Sequence, residues 1–339
     1  MADILSLLRE KAKQEPKKII LPEGEDERIQ EAVRFIVRER IANICIFDKS
    51  GKLNKLFEKE LESDYLRIVD LKDESLIKKY ACLYYERRKT KGINLNVARR
   101  IIEENPVFIA GLMVGAREAD GFVAGASLST SDVARAALHC IDRKEGISTV
   151  MGIFIMIVPN CSYGENGLFV FADCAVVPEP DAEQLAEIAI VTADFTNDIL
   201  KIVPKVALLS YSTKGSSKGK NIEKVVNALE IVRRKRPDLL IDGELQVDAA
   251  IVPEVAKIKF PDSPVAGYAN VLIFPNLEAG NCGYKLVQRM AKARAVGPIF
   301  LGLKSPASDL SRGCNVDDVI DAVAVIAVCA QNKSQLAKN

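Results

Sequence analysis

At 339 residues the chain is longer than one hydrophobic core usually serves, and its 48% hydrophobic and 27% charged composition suits a globular protein of two domains. Lys and Arg total 47 against 46 for Asp and Glu, a net charge of +1, which removes any general attraction to nucleic acid or to an anionic membrane; an anion must be held locally. The opening MADILSLLREKAKQ is charged where a secretory signal needs an apolar stretch, and the longest apolar run, Ile147 to Val158, is too short to span a bilayer, so the expected location is the cytoplasm.

The chain opens with an amphipathic helix, Ile4 to Lys13, and a strand, Lys18 to Pro22, that ends at Glu23-Gly24-Glu25-Asp26. A helix over Glu27 to Arg40, a strand at Ile44 to Phe47, a helix over Leu53 to Leu61 and a strand at Leu66 to Val69 follow. Strand and helix alternate, the pattern of an α/β fold with a mainly parallel sheet covered on both faces. Helices over Glu74 to Lys89 and Leu95 to Glu104 come next, and the run Gly121 to Ala126 empties into the hydroxyl-rich Ser127 to Asp132 ahead of a helix carrying Arg135. Hydroxyls, free amides and an arginine at a helix start suit a phosphate; capping by Ser131 or Asp132 with a solvated Arg135 explains the same residues.

Around Lys144 to Gly146 the pattern changes to long strands, Ser148 to Val158 and Leu168 to Val177, and a domain boundary is placed there. Asp181 and Gln184 have the spacing of a capping box. The strand Val206 to Tyr211 leads into STKGSSKGK, Ser212 to Lys220, which falls one residue short of a nucleotide P-loop between its glycines and has Asn221 where Ser or Thr would hold magnesium. A flexible loop is the default reading, and its lysines also suit a phosphorylated ligand. No G-x-G-x-x-G follows a strand, which removes the main support for a dinucleotide enzyme. After the helix Ile222 to Lys235 come strands at Leu239 to Ile241 and Val271 to Phe274, and Asn281 is read as the cap of a helix with Tyr284 and Lys285.

The stretch Gly297 to Ala330 carries the most chemistry. A buried strand, Ile299 to Leu303, is followed by turn residues from Ser305 to Asn315, then by a helix from Val319 onward with hardly any polar face. Ser311, Arg312, Cys314 and Asp318 converge on that helix start, where unpaired amides and the helix dipole favour an anion. Asn315 with Asp318 three residues on is also the pattern of a capping box. Eight scattered cysteines with no C-x-x-C pair, and a single histidine, His139, argue against zinc and against disulfides.

The motifs ILPEGEDERIQEA (20–32), DGELQVDAA (242–250), SPVAGYANVLIFPNLEAGNCGYKL (263–286) and GPIFLGLKSPASDLSRGC (297–314) together resemble the phosphate acetyltransferase (phosphotransacetylase) family from about Lys18 to Cys329. The resemblance implies two α/β/α domains with mainly parallel sheets and an active-site cleft between them, like isocitrate and isopropylmalate dehydrogenases. The expected domains are 1–145 with 304–339, and 146–303. It implies a homodimer, no metal and no cofactor. It also implies reversible acetyl transfer between acetyl-CoA and inorganic phosphate, giving acetyl phosphate and coenzyme A. A propanoyl or butyryl transferase, or a non-catalytic acetyl-CoA-sensing module, are the alternatives.

By the family motif E-x-R-K-x-K-G, Arg88 takes the place of a substrate arginine, and Arg135 matches the arginine after the hydroxyl-rich loop; both would hold phosphate. Ser129, Thr130, Tyr284 and Lys285 complete the expected substrate-binding set. Where many members read H-T-T-A-D, this chain has Leu128-Ser129-Thr130-Ser131-Asp132, a departure that bears on acyl-chain preference. In the expected mechanism Asp318 takes the thiol proton of coenzyme A, and Arg312 and Ser311 stabilise charge on the carbonyl oxygen, roughly 3–4 kcal/mol per donor. Attack is direct, within a ternary complex, and Cys314 forms no acyl-enzyme.

Overall fold

The structure is a computed structural model that describes residues 4–336. Its elements are α1 (Ile4–Gln14), β1 (Lys18–Leu21), α2 (Glu27–Arg38), β2 (Asn43–Asp48), α3 (Leu53–Leu56), β3 (Leu66–Asp70), α4 (Glu74–Arg88), α5 (Leu95–Glu104), α6 (Val107–Gly115), β4 (Gly121–Ala124) and α7 (Thr130–Cys140). Then come β5 (Met151–Ile157), the single turn α8 (Tyr163–Asn166), β6 (Leu168–Ala172), α9 (Ala182–Asp198), β7 (Lys205–Leu209), α10 (Lys220–Lys235) and β8 (Leu240–Leu245). The chain ends with α11 (Val247–Ile251), α12 (Pro253–Lys259), β9 (Val271–Ile273), α13 (Leu277–Met290), β10 (Arg294–Leu301), β11 (Ala307–Asp309) and α14 (Val316–Leu336). Two compact units result, one of Met1–Glu145 with Leu303–Asn339 and one of Gly146–Gly302.

In the first unit the strand order is β3-β2-β1-β4-β11, and every neighbouring pair is parallel. The strands β1, β2, β4 and β11 are buried almost throughout, which is why they read as unbroken apolar or small-residue runs rather than alternating ones. The chain winds from β1 outward through β2 and β3, then returns to place β4 and β11 on the other side of β1. The order therefore reverses between β1 and β4, and in an open parallel sheet such a reversal opens a crevice at the carboxyl ends of the strands.

α14 closes this unit. Val319, Ile320, Val323, Val325, Ile326 and Val328 are all buried, each worth roughly 1.5–3 kcal/mol. β-Branched residues are mediocre helix formers, so burial rather than propensity holds the helix. Buried polar residues interrupt the apolar surface: Asp321, 1% exposed, accepts from Arg9 Nε at 2.7 Å. Gln331 donates its amide to the carbonyls of Lys11, Ala12 and Glu15 at 3.1, 3.0 and 3.0 Å, satisfying the end of α1.

The second unit has the order β10-β5-β6-β9-β7-β8, antiparallel at β10/β5 and β5/β6 and parallel beyond. Its core gathers Phe154, Met156, Phe169, Phe171, Leu209, Leu272 and Phe274. The capping box at the start of α9 forms as its spacing predicts, with Asp181 and Gln184 exchanging hydrogen bonds. Leu303 belongs with the first unit because it bridges to Arg143, and Lys304 N donates to Asp142 O at 2.7 Å.

Four readings of the sequence change. The helix expected over Leu53 to Leu61 is the single turn α3 and a 3-10 turn at Glu60–Glu62. β5 and β6 are shorter than the apolar runs: Glu187 accepts the amides of Ser148 and Thr149 at 2.9 and 2.7 Å ahead of β5, and after β6 Asp173 accepts those of Ala175, Val176 and Val177 at 2.8, 3.2 and 2.7 Å and folds the chain into a turn. The segment read as turns from Ser305 contains the buried strand β11, whose Ala-Ser-Asp composition hides it. Asn276, not Asn281, caps α13, accepting from Ala279 N at 3.0 Å; Asn281 lies inside the helix and donates to Cys174 O at 3.1 Å.

Candidate active site

β1, β4 and β11 lie side by side and parallel, so the loops leaving their carboxyl ends gather along one edge of the first unit. The β1 loop brings Glu23, buried at 9% exposure. Its Oε2 accepts the amides of Gly125 and Ala126 at 2.6 and 3.0 Å. Its Oε1 accepts Ser127 N, Ser127 Oγ and Leu128 N at 2.6, 2.7 and 3.0 Å. One carboxylate thus shapes the whole loop after β4. Gly125 is required there, since its φ is +113° and a Cβ would lie 2.1 Å from Asp309 Oδ1.

Arg28, in the first turn of α2, is the second brace. It is held by Asp26 at 2.7 Å and donates to Ala126 O at 2.7 Å, Arg312 O at 2.8 Å and Cys314 O at 2.9 Å. The hydroxyl-rich loop after β4 and the segment after β11 are thereby fixed against each other.

On the segment after β11, Ser311 and Arg312 are exposed. Ser311 Oγ accepts from Gly313 N at 3.2 Å, and among the described residues the Arg312 guanidinium forms no ion pair. Asp318 and Asn315 form the capping box: Asn315 N donates to Asp318 Oδ2 at 2.9 Å, and Asp318 N to Asn315 Oδ1 at 2.9 Å. Asp318 therefore spends one carboxylate oxygen on the helix start. Cys314 is buried, and burial pushes its thiol up to about 11 despite the opposing influence of Arg28, a poor setting for a thiolate nucleophile.

On the other side of the Arg28 brace, Ser129 caps α7, accepting from Asp132 N at 3.2 Å and donating to Asp132 Oδ2 at 2.7 Å. Thr130 opens the helix. Arg135 Nη1 pairs with Asp132 Oδ1 at 3.3 Å while its side chain remains 54% exposed. At the far end of α7, His139 lies between α4 and α7, with Tyr84 Oη 2.8 Å from Nδ1 and Arg88 Nη2 3.3 Å from Nε2. Burial, then the charges of Arg88 and Arg135, hold the His139 pKa down to about 4.

Beneath the loops, Asp309 is 1% exposed, and neither oxygen has a hydrogen-bond partner among the described residues. Burial pushes its carboxyl up to about 7; the neighbouring Thr130 hydroxyl opposes that and the charge of Glu23 adds to it.

Tyr284 and Lys285 lie in the second unit on α13. The Tyr284 ring stacks on Phe154 at 4.0 Å, and Lys285 Nζ donates to Asn281 Oδ1 at 2.7 Å. The glycine- and lysine-rich loop after β7 is pinned: Glu244 accepts from Gly215 N at 2.7 Å and Ser212 Oγ at 3.0 Å, and Lys214 pairs with Asp242.

The family description "phosphate acetyl/butaryl transferase" matches residues 3–327. A phosphate acetyltransferase from Thermoanaerobacterium thermosaccharolyticum is 47% identical over 328 residues, 97% of this chain and 99% of that protein. One from Bacillus subtilis is 42% identical over 331 residues, covering 97% of this chain and all of the relative. The chain belongs to the phosphate acetyl/butaryl transferase family.

Solved structures of the family agree. A phosphotransacetylase from Streptococcus pyogenes superposes with a TM-score of 0.87 at 40% identity, covering 97% of this chain and 98% of that one. The EutD phosphotransacetylase of Staphylococcus aureus gives 0.82 at 39%, with the same coverage. In this transferase family member, the sequence motifs point to Ser129, Thr130, Arg135, Ser311, Arg312 and Asp318 but not to Glu23 and Arg28, which hold the loops that carry them, nor to His139 and Asp309. The available signal for the first two was position, since an acidic cluster directly after β1 sits at the carboxyl end of the strand where the sheet order reverses.

Proposed function

We propose that the chain is a phosphate acetyltransferase that moves an acetyl group reversibly between coenzyme A and inorganic phosphate. The observation that carries this reading is the Arg28 brace, which holds the hydroxyl-rich start of α7 against the Ser311-Arg312 segment at one sheet edge. Both segments offer uncommitted donors suited to an anion and to a carbonyl oxygen gaining charge.

In the proposed reaction the thiol sulfur of coenzyme A attacks the carbonyl carbon of acetyl phosphate. The new bond is carbon to sulfur, the bond broken is carbon to phosphate oxygen, and the thiol proton passes to Asp318 and on to solvent or to the departing phosphate. Arg312 and the Ser311 hydroxyl face the developing oxyanion. Arg88 and Arg135 hold the phosphate, each through a planar guanidinium that fits it with paired donors. Thr130 adds a hydroxyl donor at the start of α7, Ser129, whose own proton goes to Asp132 Oδ2, holds that loop in shape beside it, and Tyr284 and Lys285 are candidates for contacts with coenzyme A. Asp318 is tied to its own helix cap, which fixes one oxygen and leaves the other to accept the proton, so its usefulness comes from position.

A homodimer in the cytoplasm is part of the proposal. Exposed apolar side chains on α12 and α13 support it: Ile258 is 85% exposed, Met290 79% and Leu286 58%. Light scattering on the purified protein reads the mass directly.

Thioester formation from acetyl phosphate and coenzyme A, followed with and without arsenate, tests the activity. Steady production of thioester, and arsenate-dependent breakdown of acetyl-CoA, are expected; absence of both in folded protein removes the reading.

A further inference from the structure

We propose that His139 is a positioning residue for Arg88, a neutral acceptor that holds the guanidinium in place without cancelling its charge. The inference rests on Arg88 binding the phosphate-bearing substrate. It starts from donor arithmetic. A guanidinium has only donors, so the contact between Arg88 Nη2 and His139 Nε2 at 3.3 Å requires a lone pair on Nε2. The ring proton must then sit on Nδ1, where it is donated to Tyr84 Oη at 2.8 Å. Tyr84, 1% exposed, is a fixed anchor, and its ring and that of Phe108 lie 6.2 Å from the imidazole.

The other arginines here are held differently. Arg87 pairs with Asp142 at 2.6 Å and Arg135 with Asp132 at 3.3 Å. Among the described residues Arg88 has no carboxylate partner, and its buried Nε has no partner at all. A carboxylate in place of His139 would hold Arg88 more strongly but would compete with phosphate for it. A neutral imidazole orients the group and leaves its full charge for the anion.

Protonation of His139 would remove the lone pair and set two cations against each other. The cations facing it oppose this. α4 presents Tyr84, Arg87 and Arg88; α6 has no titratable side chain; α7 itself adds Asp132, Arg135 and Cys140; and β11, at the other end of α7, carries Asp309. Cations dominate near the ring, and burial and those charges hold its pKa down to about 4.

The chain has one histidine, so its imidazole nitrogen NMR signals need no assignment. The wild-type protein is expected to show protonated Nδ1 and bare Nε2 at pH 7, unchanged down to pH 5. An Nε2–H form, or titration near the ordinary value of ~6.5, overturns the proposal whether or not the protein is active. In the acyl-transfer assay, His139→Leu is expected to raise KM for acetyl phosphate on the order of tenfold with kcat nearly unchanged, the size of one lost hydrogen bond to a charged group. His139→Gln, whose amide oxygen reaches the Nε2 position, is expected to restore KM. An unchanged KM in His139→Leu also overturns the proposal. Wild-type protein without acyl transfer counts against the function instead, and the NMR result still decides the tautomer.

Discussion

The Arg28 guanidinium donates to the carbonyl of Cys314 at 2.9 Å, joining residues 286 positions apart in sequence. The same side chain holds Ala126 and Arg312 through their carbonyls, so one planar group fixes the spacing of two loops that carry the candidate catalytic and phosphate-binding residues. A lysine keeps the charge but cannot serve three carbonyls in those directions. Arg28→Lys is expected to lose about 1–3 kcal/mol of stability and to lower kcat at least tenfold. Chemical denaturation and the thioester assay read the two effects, and wild-type kcat in the lysine variant would refute the bracing role.

Glu23 does the same for the loop after β4 by accepting five hydrogen bonds. In Glu23→Gln one oxygen becomes an NH2 group facing backbone donors, so at least two amides lose their acceptor. A loss of about 2–4 kcal/mol is expected, with faster hydrogen exchange confined to the amides of Gly125 to Leu128. Exchange unchanged at those amides would show that the loop holds its shape without the carboxylate.

Asp309 makes stability depend on pH in the direction opposite to a salt-bridged carboxylate. Its folded-state value is raised to about 7 from 3.8, so the folded form binds the proton more tightly than the unfolded chain. Its contribution is fully present below about pH 4, is lost as pH rises towards and through 7, and is flat above; the full swing is ~4 kcal/mol. Asp309→Asn removes this dependence. The wild-type minus variant difference in unfolding free energy should fall between pH 4 and pH 8, and a flat difference would mean that the carboxyl titrates normally.

Asp318 has two separable jobs. Asp318→Asn keeps an oxygen for Asn315 N and should cost less than about 1 kcal/mol as a cap, while losing the proton acceptor and with it orders of magnitude in kcat. Cys314→Ala is the contrast: with its thiol pushed up to about 11, it should keep most turnover. A full-rate Asp318→Asn, or an acetyl group trapped on Cys314 by mass spectrometry, would overturn the assignment.

Much of the architecture was legible in the sequence. The alternating strands and helices of the first unit, the capping boxes at Asp181 and Asn315 and the buried helix from Val319 onward all follow from local patterns: apolar period, cap chemistry and run length. The hydroxyls of Ser129, Thr130 and Ser311, and the arginines near them, could be picked out as candidates because hydroxyls, an arginine and a helix start follow one another closely in sequence. β11 was not visible. Ala307, Ser308 and Asp309 have no strand propensity and become a strand only because β4 pairs with them in parallel.

The tertiary structure alone decided which groups brace the site. Glu23 and Arg28 look like an ordinary acidic turn and helix cap until β4 and β11 come to lie beside β1; their partners are about a hundred or nearly three hundred residues away, beyond the reach of any short-range pattern. His139 and Asp309 take their character from desolvation and from neighbouring charge, and neither exists before the chain has folded. Residue type and spacing specify which chemistry a segment can perform, whereas hydrogen-bond direction and dielectric surroundings depend on long-range packing.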